Sequence, residues 1–270
     1  MSTSVAKDDL LRKFRSFTDH RALLHQTLLV LSPIVFSLWF GYLKVTDRDY
    51  ARDLLYENGV LEWFQFFCFT LAWPLALGAS WIHYRLGYRS AAIVLLALGA
   101  AVCFVALEEI SWGQWLLDIR LPAFFEERNS QKNLTLHNLD FVQPHLHLIS
   151  ALLTLSVSVV ALLRPWLLSF RPVQALGSIL PSPILSLYFA PLALFYLFTD
   201  LVSPKLVSLG HAWARVAFDH RDSMIIFSDQ EAIECLLAAG VLGYAGMTLL
   251  TALTLKPARE GPVTGVAGRS

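Results

Sequence analysis

Six apolar runs, at 22–43, 61–82, 90–116, 144–167, 181–202 and 231–254, constrain this chain more than anything else in it. Each exceeds the roughly 20 residues that a helix needs to cross the hydrocarbon core of a bilayer. No water reaches backbone N–H and C=O groups in that core, so runs of this kind fold as helices rather than as open sheet. The pattern implies an all-α integral membrane bundle of about six transmembrane helices. Charged residues make up 16% of the chain, against about 25% in ordinary soluble domains, which agrees with this. The connections are short or moderate and no internal repeat is present. Residues 22–255 are therefore expected to form one transmembrane domain, between a segment 1–21 and a tail 256–270 rich in Gly and Pro, expected to be disordered.

In the segment Lys7–Phe17, Leu10, Leu11, Phe14 and Phe17 share one helical face while Arg12, Lys13 and Arg15 point elsewhere, as in a helix lying on an anionic membrane surface. The first run is too long for a signal-peptide core and lacks a small-residue cleavage site, so it reads as an anchor that stays. With the N-terminus cytoplasmic, 12 of the 21 Lys and Arg fall on the inner side, and the two short inner turns carry Arg85, Arg89, Arg164 and Arg171 with no acids. The positive-inside rule then puts both termini in the cytoplasm. The Arg-over-Lys, Ala- and Leu-rich usage points to a bacterial inner membrane. Zero net charge and the lack of a basic stripe argue against a nucleic-acid partner. Cys68, Cys103 and Cys235 stand singly within spans, in no metal-binding pattern, and read as packing residues.

This topology gathers polar residues at the outer end of the bundle. Glu62 and Gln65 share a face at the start of the second span. The third ends in Glu108-Glu-Ile-Ser-Trp-Gly-Gln114, the fifth in Asp200, and the sixth begins with Asp229, Glu231 and Glu234. Acids in a first turn complement the helix dipole, which explains Glu62, Asp229 and Glu231 without any function. Glu108 and Glu109 have no such explanation, because a helix C-terminus disfavours negative charge and lipid does so more strongly. Between spans three and four come Asn129, Gln131, Asn133, His137 and Asn138. Amides this dense, with Trp112 and His137, suit an extracytoplasmic loop folded over the bundle mouth. His145 and His147 stand two apart on a helix and so point to different sides; His211 and His220 fall in the last outer loop.

The run Glu108–Gln114, with Asn129-x-Gln131 and Leu136-His-Asn138 after it, resembles an uncharacterised group of bacterial multi-pass membrane proteins whose core reads EEISWGQ and then NLHN. Glu57–Phe66 is similar to their second-span entrance, so the resemblance covers roughly 57–140. It implies a shared site and carries no assigned activity. In this chain Thr135-Leu136 separates Asn133-Leu134 from His137-Asn138. A weaker, partial resemblance links Glu108-Glu109 and Phe141-Val-Gln-Pro-His145 to glutamate-type membrane proteases that process prenylated (CAAX) proteins. Gly113 stands where those enzymes carry arginine, and their third motif is absent.

Three functions remain open. An enzyme would use Glu109, Glu108 and His137 as candidate catalytic groups, with Glu62, Gln65, Trp112, Gln114, Asn129, Gln131 and Asn138 binding substrate or supporting the site. Crowded carboxylates need a proton or a cation among them. A divalent metal on Glu109, His137, Glu231 and Glu234 would turn a bound water into a hydroxide for hydrolysis of a lipid or lipid-linked substrate. A non-catalytic subunit or assembly factor, with other membrane proteins as partners, would use the same groups only as an architectural network. An ion-coupled transporter would use the intramembrane acids, although carriers bind cargo near the midplane and not at one face.

Overall fold

The computed structural model describes residues 27–54, 59–129, 131–174, 176–209 and 230–256. The amphipathic segment at 7–17, the tail from 257, His211, His220 and Asp229 lie outside the described residues. The described chain is helical, with one isolated antiparallel bridge between Asn129 and Leu139. Its elements are α1 (Thr27–Thr46), α2 (Arg48–Leu54), α3 (Val60–Arg85), α4 (Arg89–Glu109), α5 (Gln114–Leu117), α6 (Ala123–Arg128), α7 (Gln143–Leu167), α8 (Arg171–Gln174), α9 (Ser186–Tyr196), α10 (Ser203–Ser208) and α11 (Gln230–Thr254). A single 3₁₀ turn, Ser111–Gly113, separates α4 from α5, and a π-helical turn, Leu197–Val202, follows α9.

Among the described residues five helices are long and apolar enough to cross a membrane: α1, α3, α4, α7 and α11. The run expected at 181–202 gives only a shorter apolar helix, Pro183–Thr199. Pro183 opens it with a 3₁₀ turn, Pro191 interrupts its interior, and the ladder widens to π spacing after Tyr196. The run expected at 90–116 also divides. Its helix stops at Glu109 because Ser111, Trp112 and Gly113 take φ of 48°, 55° and 74° in succession, a left-handed backbone that no α-helix continues through.

α3 lies between α4 and α11, and α9 joins α7 to α11. The seam of α3, α4 and α11 is rich in small residues, Cys68, Ala72, Ala76, Ala106, Ala238 and Ala245, beside Phe69 and Val102. Lipid offers no hydrophobic drive for helices to associate, so close backbone approach over small side chains is what holds them together. At Gly240 on α11 an added Cβ would stand 2.6 Å from Cβ of Tyr188 on α9, so that crossing accepts glycine alone. Leu96 on α4, Leu153 on α7 and Leu253 on α11 face outwards at 56–64% exposure. Rows of exposed leucine of this kind suit a lipid surround and not water.

The two ends of the bundle differ in charge. Arg85 and Arg89 flank the turn between α3 and α4, and Arg164, near the end of α7, donates to the Gly177 carbonyl at the same end. There His83 is fully buried and bonds the Ala79 carbonyl and Ser178. At the opposite end are the start of α3, the end of α4 and the start of α11, with Glu62, Glu108, Glu109, Glu231 and Glu234.

Candidate functional site

Successive residues on a helix project about 100° apart, and the two carboxylates that close α4 go to different places. Glu108, 5% exposed, turns towards the loop before α7. Its Oε1 accepts the indole N–H of Trp112 at 2.5 Å. Its Oε2 accepts the backbone N–H groups of Leu136 and His137, at 2.8 and 3.1 Å, and meets Nδ1 of His137 at 3.0 Å. Consecutive backbone N–H groups aimed at one oxygen make a small anion-binding nest. Four donors, charge-assisted at the acceptor, are what make a carboxylate tolerable at a helix C-terminus. The left-handed turn at 111–113 matters here, since it brings Trp112 back over the acid four residues before it.

The amides behind this contact bond mostly to one another. Asn129 is 1% exposed; its Nδ2 donates to the Thr135 carbonyl at 2.8 Å and its Oδ1 accepts the Gln131 N–H at 2.9 Å. Gln131 Oε1 accepts from Asn133 Nδ2 and from Asn138 Nδ2. Asn138 also donates to the Thr135 hydroxyl at 3.0 Å, and Thr135 donates to Asn133 Oδ1 at 2.5 Å. Gln114 Oε1 accepts the Leu134 N–H at 2.6 Å and so ties the loop to the start of α5. These described amides therefore bond to one another as a network, and Glu108, Trp112 and Gln114 attach it to the end of α4 and the start of α5. His137 sits at its edge, 36% exposed.

Glu109 faces the other way. It lines a cavity of about 40 Å³ with Glu62, Trp63, Ile110, Trp115 and Leu116. Its acidic neighbours are Glu62, Glu108, Glu231 and Glu234. Glu231 and Glu234 are held by neighbours, as Glu108 is: Gln65 Nε2 donates to Glu231 Oε2 at 3.1 Å, and the Tyr196 hydroxyl donates to Glu234 Oε1 at 2.9 Å. The ring of His147 stacks on Tyr196, with centroids 4.4 Å apart, while His145 is exposed. The expected site thus separates into a hydrogen-bonded part around Glu108 and His137 and an acidic cavity around Glu109 and Glu62.

Glu109, His137, Glu231 and Glu234, expected as metal ligands, do not come together as a set. Among the described residues no group of three or more His, Cys, Asp or Glu has a geometry to hold a metal ion. The reason is local: Glu108, not Glu109, takes Nδ1 of His137. Thr135, Tyr196, Trp63 and Trp115 belong to the site and were not singled out from the sequence. Thr135 carried only the signal of a hydroxyl within a run of amides. Tryptophan is ordinary at the ends of membrane spans, so neither Trp63 nor Trp115 stands out, and Tyr196 lies within an apolar run.

These features define an all-helical bundle, with helices long and apolar enough to cross a membrane, whose acidic end is bonded to a polar segment. Comparison of the chain with family models, with curated proteins and with solved structures gives no match.

Proposed function

We propose that this chain is a membrane-embedded acid–base enzyme of hydrolase type, acting on a lipid or lipid-linked substrate at the extracytoplasmic end of its bundle. His137 exchanges the proton and Glu108 is the residue that positions it. One observation carries this: Glu108 Oε2 holds both the backbone N–H and Nδ1 of His137, at 3.1 and 3.0 Å, while the ring remains 36% exposed. A carboxylate on Nδ1 keeps the neutral ring's proton there and leaves Nε2 as the acceptor. In hydrolysis Nε2 would take a proton from water as its oxygen attacks the ester carbon or phosphorus. It would then return that proton to the departing oxygen. The imidazolium formed in between stands beside Glu108, which stabilises it.

The residues that carry the resemblance to bacterial multi-pass proteins, Glu108, Trp112, Gln114, Asn129, Gln131, His137 and Asn138, are the ones that build this network, which supports a site shared with that group. The acids lie at helix ends and not at mid-depth, which favours this reading over an ion-coupled carrier. An arginine-bearing end opposite the acids fits termini in the cytoplasm.

A non-catalytic role has its own support. Glu108 also accepts the Leu136 N–H and the Trp112 indole, so it fastens the loop whether or not His137 reacts. The two readings separate in one experiment. Purified protein is reconstituted into nanodiscs of total bacterial lipid, and lipid products are followed by mass spectrometry for wild type and His137→Ala. Turnover by the wild type that His137→Ala abolishes, with unfolding temperature retained, is expected for the enzyme. No turnover by well-folded wild type, or undiminished turnover by His137→Ala, would leave the architectural role.

A further inference from the structure

The cavity beside Glu109 points to a ligand of its own. Its lining combines two carboxylates, Glu62 and Glu109, with two indoles, Trp63 and Trp115, and the apolar Ile110 and Leu116. Glu109 is partly buried, its described charged neighbours Glu62, Glu108, Glu231 and Glu234 are carboxylates, and no described residue donates a hydrogen bond to it. A carboxyl group in that position takes up a proton or a cationic guest. The walls decide which kind. A divalent metal takes four or more oxygen, nitrogen or sulfur ligands, whereas only two of these six side chains offer any. Indole faces attract organic cations. At about 40 Å³ the cavity holds roughly three water-sized bodies. An ammonium with its adjoining methylene fits that space and can donate N–H to Glu109, which a trimethylammonium cannot.

The surroundings show where such a group enters. Trp63 is 40% exposed, Trp115 59% and Leu116 69%, so the outer wall is apolar surface at the end of a membrane span. We propose that this cavity binds a primary ammonium group, supplied by an aminophospholipid headgroup entering sideways from the bilayer or by a free amine. It does so whether or not His137 performs chemistry.

The test uses the full-length protein, delipidated in mild detergent. Native mass spectrometry follows its retention of dioleoyl phosphatidylethanolamine, phosphatidylcholine and phosphatidylglycerol, with ethanolamine added as competitor. Phosphatidylethanolamine should be held at least about tenfold more tightly than the other two, the loss expected when one charge-assisted hydrogen bond goes unmade. Glu109→Gln should erase that preference. Displacement by ethanolamine would show that the ammonium alone suffices; retention against it would show that the lipid's remainder contributes. Equal retention of the three lipids, or a preference unchanged in Glu109→Gln with wild-type unfolding temperature, would overturn the proposal. Should Glu109→Gln fail to fold, Trp115→Leu replaces it. Loss of one cation–π face should weaken phosphatidylethanolamine by about threefold, and unchanged binding would overturn the proposal equally.

Discussion

Replacing Glu108 with glutamine keeps the side chain's shape and removes its charge. The native carboxylate accepts four hydrogen bonds, three on Oε2 and one on Oε1. Glutamine has one oxygen, which does best at the Oε2 position, where it keeps all three donors. Each of those bonds falls from the charged class, about 1.5–3 kcal/mol, to the neutral class, about 0.5–1.5 kcal/mol. The new NH₂ group then faces the Trp112 indole N–H and cannot accept from it; at 36% exposure Trp112 turns to water instead, at small cost. About 1 kcal/mol lost at each of three bonds, discounted for non-additivity, gives roughly 2–3 kcal/mol for the loop's attachment. Hydrogen–deuterium exchange reads this directly. The Leu136 and His137 amides should exchange about 30- to 150-fold faster in Glu108→Gln, since each 1.4 kcal/mol is tenfold. The α3 amides around Ala72 should not change. His137→Ala removes only the ring contact and leaves both backbone donors in place, so those two amides should accelerate by less. Exchange in Glu108→Gln within about threefold of wild type would refute the claim that this carboxylate fastens the loop.

Other substitutions test other parts of the fold. At Gly113, φ is +74° and an added Cβ meets only the Leu117 side chain, at 3.6 Å. Gly113→Ala should therefore cost backbone strain alone, about 1–2 kcal/mol in unfolding measured in detergent. Gly240→Ala should cost about 1–3 kcal/mol by forcing α11 away from Tyr188. Gly246→Ala, with nothing within 4 Å, should be neutral or stabilising, and equal losses at both would contradict the packing described. Tyr196→Phe removes the hydroxyl that donates to Glu234 and should destabilise by about 1–3 kcal/mol, read by thermal unfolding.

The membrane helices were legible because lipid makes length and apolarity decisive. The runs expected at 61–82, 144–167 and 231–254 match α3, α7 and α11 within three residues at either end. The third and fifth runs were overextended, because hydropathy does not register a change of backbone handedness or hydrogen-bond spacing. Trp112 and Trp115 both follow the end of α4 and prolong the apolar run, and only Gly113 marks the turn. At the site, the chain order shows acids at helix ends and amides between spans three and four, and the contact of Glu108 with Leu136 and His137 comes from the structure. The division of labour between Glu108 and Glu109 was not foreseeable. Neighbouring residues on a helix have the same composition and depth and differ only in azimuth, which becomes meaningful once the packing of α3, α11 and the loop is known. For the same reason His137 seemed as suited to Glu109 as to Glu108.

The latch on Glu108 also has a consequence for biosynthesis. Its partners in the loop lie 28 and 29 residues further along the chain. At translation rates of 5–20 residues per second, the carboxylate emerges roughly one to six seconds before the groups that neutralise it. Through that interval α4 ends in a charge that neither its dipole nor a lipid surround favours. The helix therefore cannot settle at its final depth as an independent unit. Its last turn and the loop up to Asn138 must be completed together, so a chain truncated or stalled just before Leu136 should leave α4 unanchored and open to membrane quality control.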